Sequence, residues 1–186
     1  MRTCVVGIDN GVTGSIMVVY DDGTYTFLKT PTIEQLSYTK KKKRIHRIDF
    51  KSLYTFFQNL KSFNEVVLVV MERPMVNPMR FDATLSAIRC LESTQIILEG
   101  HGIPYTFIDS KEWQKELLPG VVGSDKLKKA SDKRARKHYP AVAFKDGQGD
   151  SANIAEYALK HFIEKKENKN GIGHKENSGP AEAEQR

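Results

Sequence analysis

The feature that most constrains the fold of this chain is an unbroken apolar run from Val66 to Met71. Six consecutive apolar residues, four of them valine, are typical of a strand that is buried on both faces. Such a strand lies inside a sheet that carries helices on both sides. Glu72 follows the run directly, so this central strand is expected to end on a carboxylate.

Four further β-rich runs predict the other strands of the sheet. They cover residues 3–8, 14–20, 24–29 and 104–108. Between the second and third runs, Asp21, Asp22 and Gly23 form the short polar segment that a hairpin turn needs. The chain is therefore expected to open as a meander of three strands.

Apolar residues recur at helical spacing in three segments, which are residues 50–60, 85–98 and 151–164. The last helix is expected to follow Asp150, whose side chain is predicted to be its N-cap. Strands and helices in this order predict one α/β layered domain over residues 1–165. Residues 166–186 are rich in Lys, Glu, Asn and Gly, and they are predicted to be a disordered polar tail.

Basic residues dominate two separated segments. Residues 40–51 hold seven Lys or Arg against one acid, and residues 111–137 hold nine against four. The chain has a net charge of +6 and a pI near 9.2, which favours a polyanionic partner. Two such segments could flank a nucleic-acid groove, or both could be solvated surface, which is the usual role of an isolated charge run.

The composition disfavours a membrane or secreted protein. No stretch approaches the roughly 18 uninterrupted apolar residues of a membrane span. The chain starts without the basic and apolar succession of a secretory signal, so it is expected to stay in the cytoplasm, which is the host's cytoplasm if a virus or phage encodes it. Cys4 and Cys90 form no CxxC pair and are expected to be buried free thiols.

Carboxylates stand at the ends of two predicted strands. Asp9 follows the first strand within GIDNGVTGS, whose glycines leave room for a phosphate or a metal ion near the backbone. Asp9 could instead cap a turn, and Glu72 could reach solvent or pair with Arg73. Two central strands that both end on an acid favour a site over these local explanations, because an unpaired buried carboxylate is costly.

Two further acids, Asp146 and Asp150, lie four residues apart in KDGQGDSANIAEYAL. Docking of the last helix on the sheet would point Asp150 inward. Asp146 could instead be an ordinary acid in a loop, with no part in the site. Acids from distant segments repel one another on one sheet surface unless cations join them, and oxygen-only ligation selects Mg²⁺ or Mn²⁺. Asp9, Glu72, Asp146 and Asp150 are therefore the predicted metal-binding and catalytic residues.

The segments GIDNGVTG, VVMERP and DGQGDSANIAEYAL, together with DSKEWQKELLPG, resemble the RuvC-like Holliday-junction resolvases of phages and viruses. The resemblance covers roughly the first 165 residues in order and spacing. It implies a ribonuclease H-like α/β fold with a mixed central sheet and helices on both faces. One departure is that many relatives place the final two acids three apart, where this chain has Gly147.

The resemblance also implies a mechanism. In such sites two divalent ions about 4 Å apart bracket the scissile phosphate, and Asp9 would bridge them. One ion lowers the pKa of its water and the other stabilises the leaving 3′ oxygen, so hydrolysis leaves a 5′ phosphate. The implied activity is that of a Mg²⁺-dependent crossover junction endodeoxyribonuclease, which acts on four-way junctions and other branched DNA in recombination and repair.

Candidate DNA contacts come from the loop after Glu72 and from the basic segments. Relatives stack an aromatic of this loop on unpaired bases, and Phe81 is the candidate here, unless it packs under the next helix. The other candidates are Arg73, Arg80, Lys40, Lys41, Lys42, Lys43, Arg44, Lys111, Lys126, Lys128, Lys129, Lys133 and Arg134. Trp113 is expected to be an ordinary core residue.

A homodimer is expected, because two symmetric nicks across a four-way junction need two sites related by a two-fold axis. The candidate interface is the helix over residues 84–99, where Ile96 and Ile97 flank the apolar line of Leu85, Ile88 and Leu91. The same helix could instead be buried within one chain.

Three other functions are considered. An ATP-binding fold of the actin type opens with a similar glycine turn, but 186 residues leave no room for its second half. A ribonuclease H-like nuclease could cut another substrate, such as an RNA–DNA hybrid, and a junction-binding module could keep the fold without the chemistry.

Overall fold

The computed structural model describes residues 2–38, 40, 42–145 and 147–164. Its strands are β1 (Arg2–Asp9), β2 (Ser15–Tyr20), β3 (Tyr25–Lys29), β4 (Thr32–Leu36), β5 (Arg44–Ile48), β6 (Asn64–Glu72) and β7 (Tyr105–Ile108). Its helices are α1 (Phe50–Phe63), α2 (Phe81–Gly100), α3 (Ser110–Leu117), α4 (Ser124–His138) and α5 (Gly149–Ala158), with a π-helical turn over Leu159–Glu164. The predicted tail over residues 166–186 lies outside the described residues.

Five strands form one mixed sheet in the order β3-β2-β1-β6-β7. Strands β1, β2 and β3 are antiparallel neighbours, whereas β1, β6 and β7 run parallel. Parallel neighbours need crossover connections, which α1 and α2 supply. The predicted α/β class and the mixed sheet are confirmed.

Helices cover both faces of the sheet, as the alternation along β1 shows. Val6 and Ile8 point to one face and pack with residues of α1 and α2 such as Phe57. Val5 points to the other face and packs with Ala135 of α4 and residues of α5. The central strands are therefore buried twice, which is why their sequences are almost wholly apolar.

The structure corrects two predictions about the last helix. It begins at Gly149 with Gln148 as its N-cap, so Asp150 lies inside the first turn and is not the cap. The α-helix also ends at Ala158 and continues as the π-helical turn, where a single helix to Glu164 was predicted. Both errors are local, and Asp150 still lies at the start of the helix that packs on β1.

Three other elements were not predicted. Residues of the first basic segment form part of the hairpin β4–β5, whose strands pair in a separate two-stranded sheet. The second basic segment forms helices α3 and α4, whose buried residues are few and mostly small or polar. The apolar residues of these two helices are few and are separated by lysines, so the sequence shows no clear helical periodicity there. Among the described residues, none of the helices is long and apolar enough to cross a membrane.

Close packing of α5 on β1 depends on Gly7. A Cβ at this position would lie 2.3 Å from the backbone nitrogen of Ala155 and from the carbonyl oxygen of Ser151. We therefore expect Gly7→Ala to lower the free energy of unfolding by about 3 kcal/mol or more, at the upper end for overpacking, because backbone cannot give way. Denaturant unfolding measures this loss. Gly100→Ala is the control, since nothing lies within 4 Å of its added Cβ and its stability should not fall.

Candidate active site

Asp9 and Glu72 lie side by side at one edge of the sheet. Their strands β1 and β6 are parallel, and Ile8 pairs with Met71, so Asp9 and Glu72, the last residues of the two strands, lie at the same level. Both side chains are partly buried. The sequence prediction that two strand-end acids meet is therefore matched by the register of the two strands.

Asp150 reaches the same edge because the start of α5 is held on the sheet. Ser15, which pairs with Asp9 across β1 and β2, bonds the hydroxyl of Ser151 at 2.8 Å and donates to the carbonyl of Gln148 at 3.0 Å. These contacts fix the first turn of α5 over the ends of β1 and β2. The third carboxylate thus comes from a segment about 140 residues after Asp9 in the chain.

The pKa values of all three carboxylates are raised above their usual range. Burial raises the pKa of Asp9 well above its usual range, and the charges of Asp150 and Glu72 raise it further. Burial and then the charge of Asp150 raise the pKa of Glu72 to about 7. Burial likewise raises the pKa of Asp150 to about 6. Three charged acids are therefore disfavoured here unless cations join them.

Trp113 holds Glu72 in place. Its side chain is fully buried, as predicted for a core residue, and its Nε1 donates to Glu72 Oε2 at 3.2 Å. This hydrogen bond lowers the pKa of Glu72 against the effect of burial. Sequence reasoning missed this contact because the two residues are 41 positions apart.

Lys128 of α4 faces the acids. Its charge lowers the pKa of both Asp9 and Asp150, and its methylene groups lie about 3.8–4.0 Å from the position of a Cβ on Gly147. It was predicted as one of many DNA contacts on a basic surface. The structure shows in addition that its charge acts on two of the three acids.

The carboxylate oxygens of these three acids are the type of ligand that Mg²⁺ and Mn²⁺ prefer. They are buried carboxylates with raised pKa values, so a divalent cation would relieve their repulsion. Within the described ranges, which omit Asp146, no three Asp, Glu, His or Cys side chains are gathered closely enough to hold one ion. Glu72 is turned to Trp113 and Asp150 to Ser131 in this arrangement.

A cleft of about 260 Å³ opens from Asp9 and Glu72 towards α2. Arg73 and Arg80 line it. Phe81, the residue after Arg80, is 67% exposed, so the alternative that this ring packs under the following helix is wrong. The cleft therefore carries two cations beside the acids, and an accessible aromatic ring follows one of them in the chain.

The predicted basic residues have different surroundings. Lys40, Lys42, Lys111, Lys126, Lys129 and Lys133 are exposed, and Lys41 lies outside the described residues, as does the predicted ligand Asp146. Exposed ion pairs join Lys43 to Asp82, Arg44 to Glu34 and Arg73 to Asp109. The structure argues against Arg134 as a DNA contact, because its largely buried guanidinium donates to Glu156.

The five-stranded mixed sheet with helices on both faces has a ribonuclease H-like fold, as its likeness to solved structures shows. Among solved structures, Thermus thermophilus RuvC in complex with a Holliday junction substrate matches 89% of this chain and 96% of its own, with 12% identity and a TM-score of 0.54. A second Thermus thermophilus RuvC structure matches 84% and 95%, with 11% identity and a TM-score of 0.51. The predicted RuvC-like fold is confirmed. No protein-family model and no curated protein matches the sequence.

Proposed function

We propose that this protein is a divalent-metal-dependent endonuclease that cuts four-way junctions and other branched DNA. The observation that carries the proposal is the meeting of three partly buried carboxylates, from β1, β6 and α5, at one edge of a ribonuclease H-like sheet. The chain shares its fold with a RuvC that has been solved with a Holliday junction substrate, which supports a junction-resolving nuclease.

In this proposal Asp9, Glu72 and Asp150 hold Mg²⁺ or Mn²⁺, two ions in each site, and Asp146 is the fourth carboxylate. When bound, the ions supply positive charge at the scissile phosphate and acidify a water. Trp113 orients Glu72 through the hydrogen bond from its Nε1. A carboxylate that is already held in place can bind a metal ion with little rearrangement of its side chain.

Cations of the chain position the DNA strand around this centre. Lys128 faces Asp9 and Asp150, where its ammonium can contact the phosphate that the acids themselves would repel. Arg73 and Arg80 line the cleft and contact the phosphates on either side. Phe81 stacks on a base that is unpaired at a branch point, which contributes roughly 1 to 3 kcal/mol and favours branched over duplex DNA.

One experiment separates this function from its rivals. The protein is incubated with four-way, three-way and duplex DNA and with an RNA–DNA hybrid, with and without Mg²⁺, and the products are resolved on a denaturing gel. We expect Mg²⁺-dependent cutting of the branched substrates. Preferred cutting of the hybrid supports the ribonuclease alternative, and junction binding without any cutting supports the non-catalytic module.

The hairpin β4–β5 and its loop are proposed to contact DNA phosphates. Replacing Lys40 to Lys43 with Ala should reduce the slope of log affinity against log salt by about 0.9 for each lysine that neutralises a phosphate of duplex DNA. Fluorescence anisotropy over a salt series measures the slope. Lys61→Ala is the control, because Lys61 precedes β6 and lies at the edge of the sheet opposite the acids. An unchanged slope in the lysine variant would show that these residues are solvated bystanders.

We propose that the active species is a homodimer formed through α2. Ile88 and Ile96 are 42% and 55% exposed on this helix, and Leu85 and Leu91 are partly buried beside them. Ile97 does not belong to this surface, because it is buried in the core, which corrects the prediction that it flanks the apolar line. Exposed isoleucines on one helix are suited to a symmetric contact with a second copy.

Replacing Ile88 and Ile96 with Lys should convert the dimer to a monomer, because like charges would meet across the two-fold axis. Sedimentation at micromolar concentration measures the mass, for the protein alone and on a four-way junction. The Lys43→Ala variant serves as a control that leaves the isoleucines intact. A one-chain mass for the wild-type protein under both conditions would remove the dimer.

A further inference from the structure

Two adjacent residues of α4, Ser131 and Asp132, hold the loop and helix that carry Asp150. Both are buried, with 1% and 6% of their surface exposed. Asp132 Oδ2 accepts a hydrogen bond from the backbone nitrogen of Gly147, and Oδ1 accepts one from Gly149, each at 2.9 Å. One carboxylate thus binds the backbone on both sides of Gln148, the N-cap of α5.

Ser131 completes this contact through side chains. Its hydroxyl donates to Asp150 Oδ1, and Asn153 Nδ2 donates to the same hydroxyl at 2.8 Å and to the carbonyl of Ser131 at 3.2 Å. Asn153 Nδ2 also donates to the carbonyl of Gly149 at 3.0 Å. The buried polar groups of the two helices are therefore joined in one network around the start of α5.

The first turn of α5 receives no side-chain hydrogen bond from its own N-cap residue, Gln148. The first N–H groups of a helix need acceptors, which a residue at the N-cap usually supplies. Asp132 supplies one from a neighbouring helix by accepting from Gly149. Because the turn is capped from outside, the side chain of Asp150 is not needed as a cap, and it accepts from Ser131 beside the other two acids.

Two glycines allow this approach. Gly147 has a φ of +93°, a conformation that side-chain-bearing residues rarely adopt. A Cβ on Gly149 would lie 2.8 Å from Asp132 Cα and from the carbonyl oxygen of Ser131. The backbone of the loop therefore passes directly against α4. The contacts of Ser131 and Asp132 with Gly147, Gly149, Asp150 and Asn153 are called the clasp below.

We infer that Asp132 is a positioning residue of the active site, which caps α5 from α4 and thereby holds Asp150 as a ligand. This inference rests on the proposed function only in assigning Asp150 to the metal centre. Both oxygens of Asp132 accept backbone hydrogen bonds, so it acts through the loop and not as a ligand.

The test compares Asp132→Asn and Asp132→Ala with the wild-type protein in the absence of DNA. Mn²⁺ binding is followed by the loss of the free-ion electron paramagnetic resonance signal, and amide hydrogen exchange is measured over residues 147–151. We expect Mn²⁺ affinity to fall roughly 10- to 100-fold, as for loss of an outer-shell partner, and the amides of Gly147 and Gly149 to exchange faster. In cleavage assays high Mn²⁺ should restore the Asp132 variants.

Phe57→Leu is the matched control, because it loosens the core on the opposite face of the sheet without touching the clasp. At an equal loss of melting temperature it should bind Mn²⁺ as the wild-type protein does. If the Asp132 variants do not fold, Ser131→Ala removes the hydrogen bonds of this hydroxyl to Asp150 and Asn153, keeps Asp132 in place, and should still weaken Mn²⁺ binding. Unchanged Mn²⁺ affinity in every folded clasp variant would overturn the inference.

The same measurements distinguish failure of this inference from failure of the proposed function. If the wild-type protein binds Mn²⁺ and the clasp variants weaken this binding, the inference holds even when no DNA substrate is cut. If the wild-type protein cuts junctions while the clasp variants keep its metal affinity and its rate at low Mn²⁺, the function holds and the inference fails.

Discussion

Asp9→Asn is expected to abolish cleavage of a four-way junction and to leave junction binding at wild-type strength. The substitution keeps the shape of the side chain and removes the charge that would bind the metal ions. The charges of both other acids raise the pKa of Asp9. The rate loss should exceed the roughly 10- to 100-fold that follows loss of an outer-shell partner. The basic surface is unchanged, so the DNA should still bind.

Single-turnover cleavage in Mg²⁺ and binding in EDTA measure the two effects separately. Asp22→Asn is the control, because it makes the same chemical change in the exposed turn before β3. Glu72→Gln and Asp150→Asn should resemble Asp9→Asn, and Asp146→Asn tests whether Asp146 is the fourth ligand. Full activity of the Asp9 variant would remove the proposed site.

The sheet and two of its acids could be predicted because their signals are local. A run such as Val66–Met71 is rarely compatible with anything but a buried strand, and its last residue places Glu72. The parallel neighbours β1 and β6 then bring Asp9 and Glu72 to one edge. The sequence did not predict the register between β1 and β6, which places Asp9 and Glu72 at the same level, because no local pattern encodes it.

The hydrogen bonds that hold these acids in place could not be predicted, because their partners are distant in the chain. Trp113 and Glu72 are 41 positions apart, and Ser131 and Asp150 are 19 apart. Asp132 is one acid in a segment dominated by lysines, and only the packing of α4 on α5 shows that it is buried. The wrong N-cap at Asp150 has the same origin, since a local acceptor was expected where Asp132 supplies one from another helix.

In metal-free buffer, we expect the protein to lose stability as the pH rises from 5 to 8, relative to variants that lack the buried charges. The folded-state pKa values of Glu72 and Asp150 are raised to about 7 and about 6. A group whose pKa is raised by folding stabilises the folded state below its unfolded pKa, and this stability is lost as the pH rises through the folded pKa. The window therefore runs from about pH 4 to about pH 7.

Asp21, Asp49 and Glu116 do not interfere in this window. Hydrogen bonds lower their pKa values, so their contribution is lost only as the pH falls through those lowered values. The largest change in stability is therefore expected between about pH 4 and about pH 7, where the unfolded chain has lost these protons and the folded protein still holds them.

The measurement is thermal or denaturant unfolding in EDTA for the wild-type protein, Glu72→Gln and Asp150→Asn. All other titrating groups are common to the three proteins, so their difference isolates the two acids. Each unit of pKa shift corresponds to about 1.4 kcal/mol, so the variants should be more stable than wild type at pH 8 by on the order of 2 to 3 kcal/mol, and nearly equal to it at pH 5.

Mg²⁺ should restore wild-type stability at pH 8 and have little effect at pH 5, because the protonated acids no longer bind it. A wild-type protein that matches both variants across this range in EDTA would show that the acids are charged and solvated without metal, and the electrostatic case for a cation site would be lost.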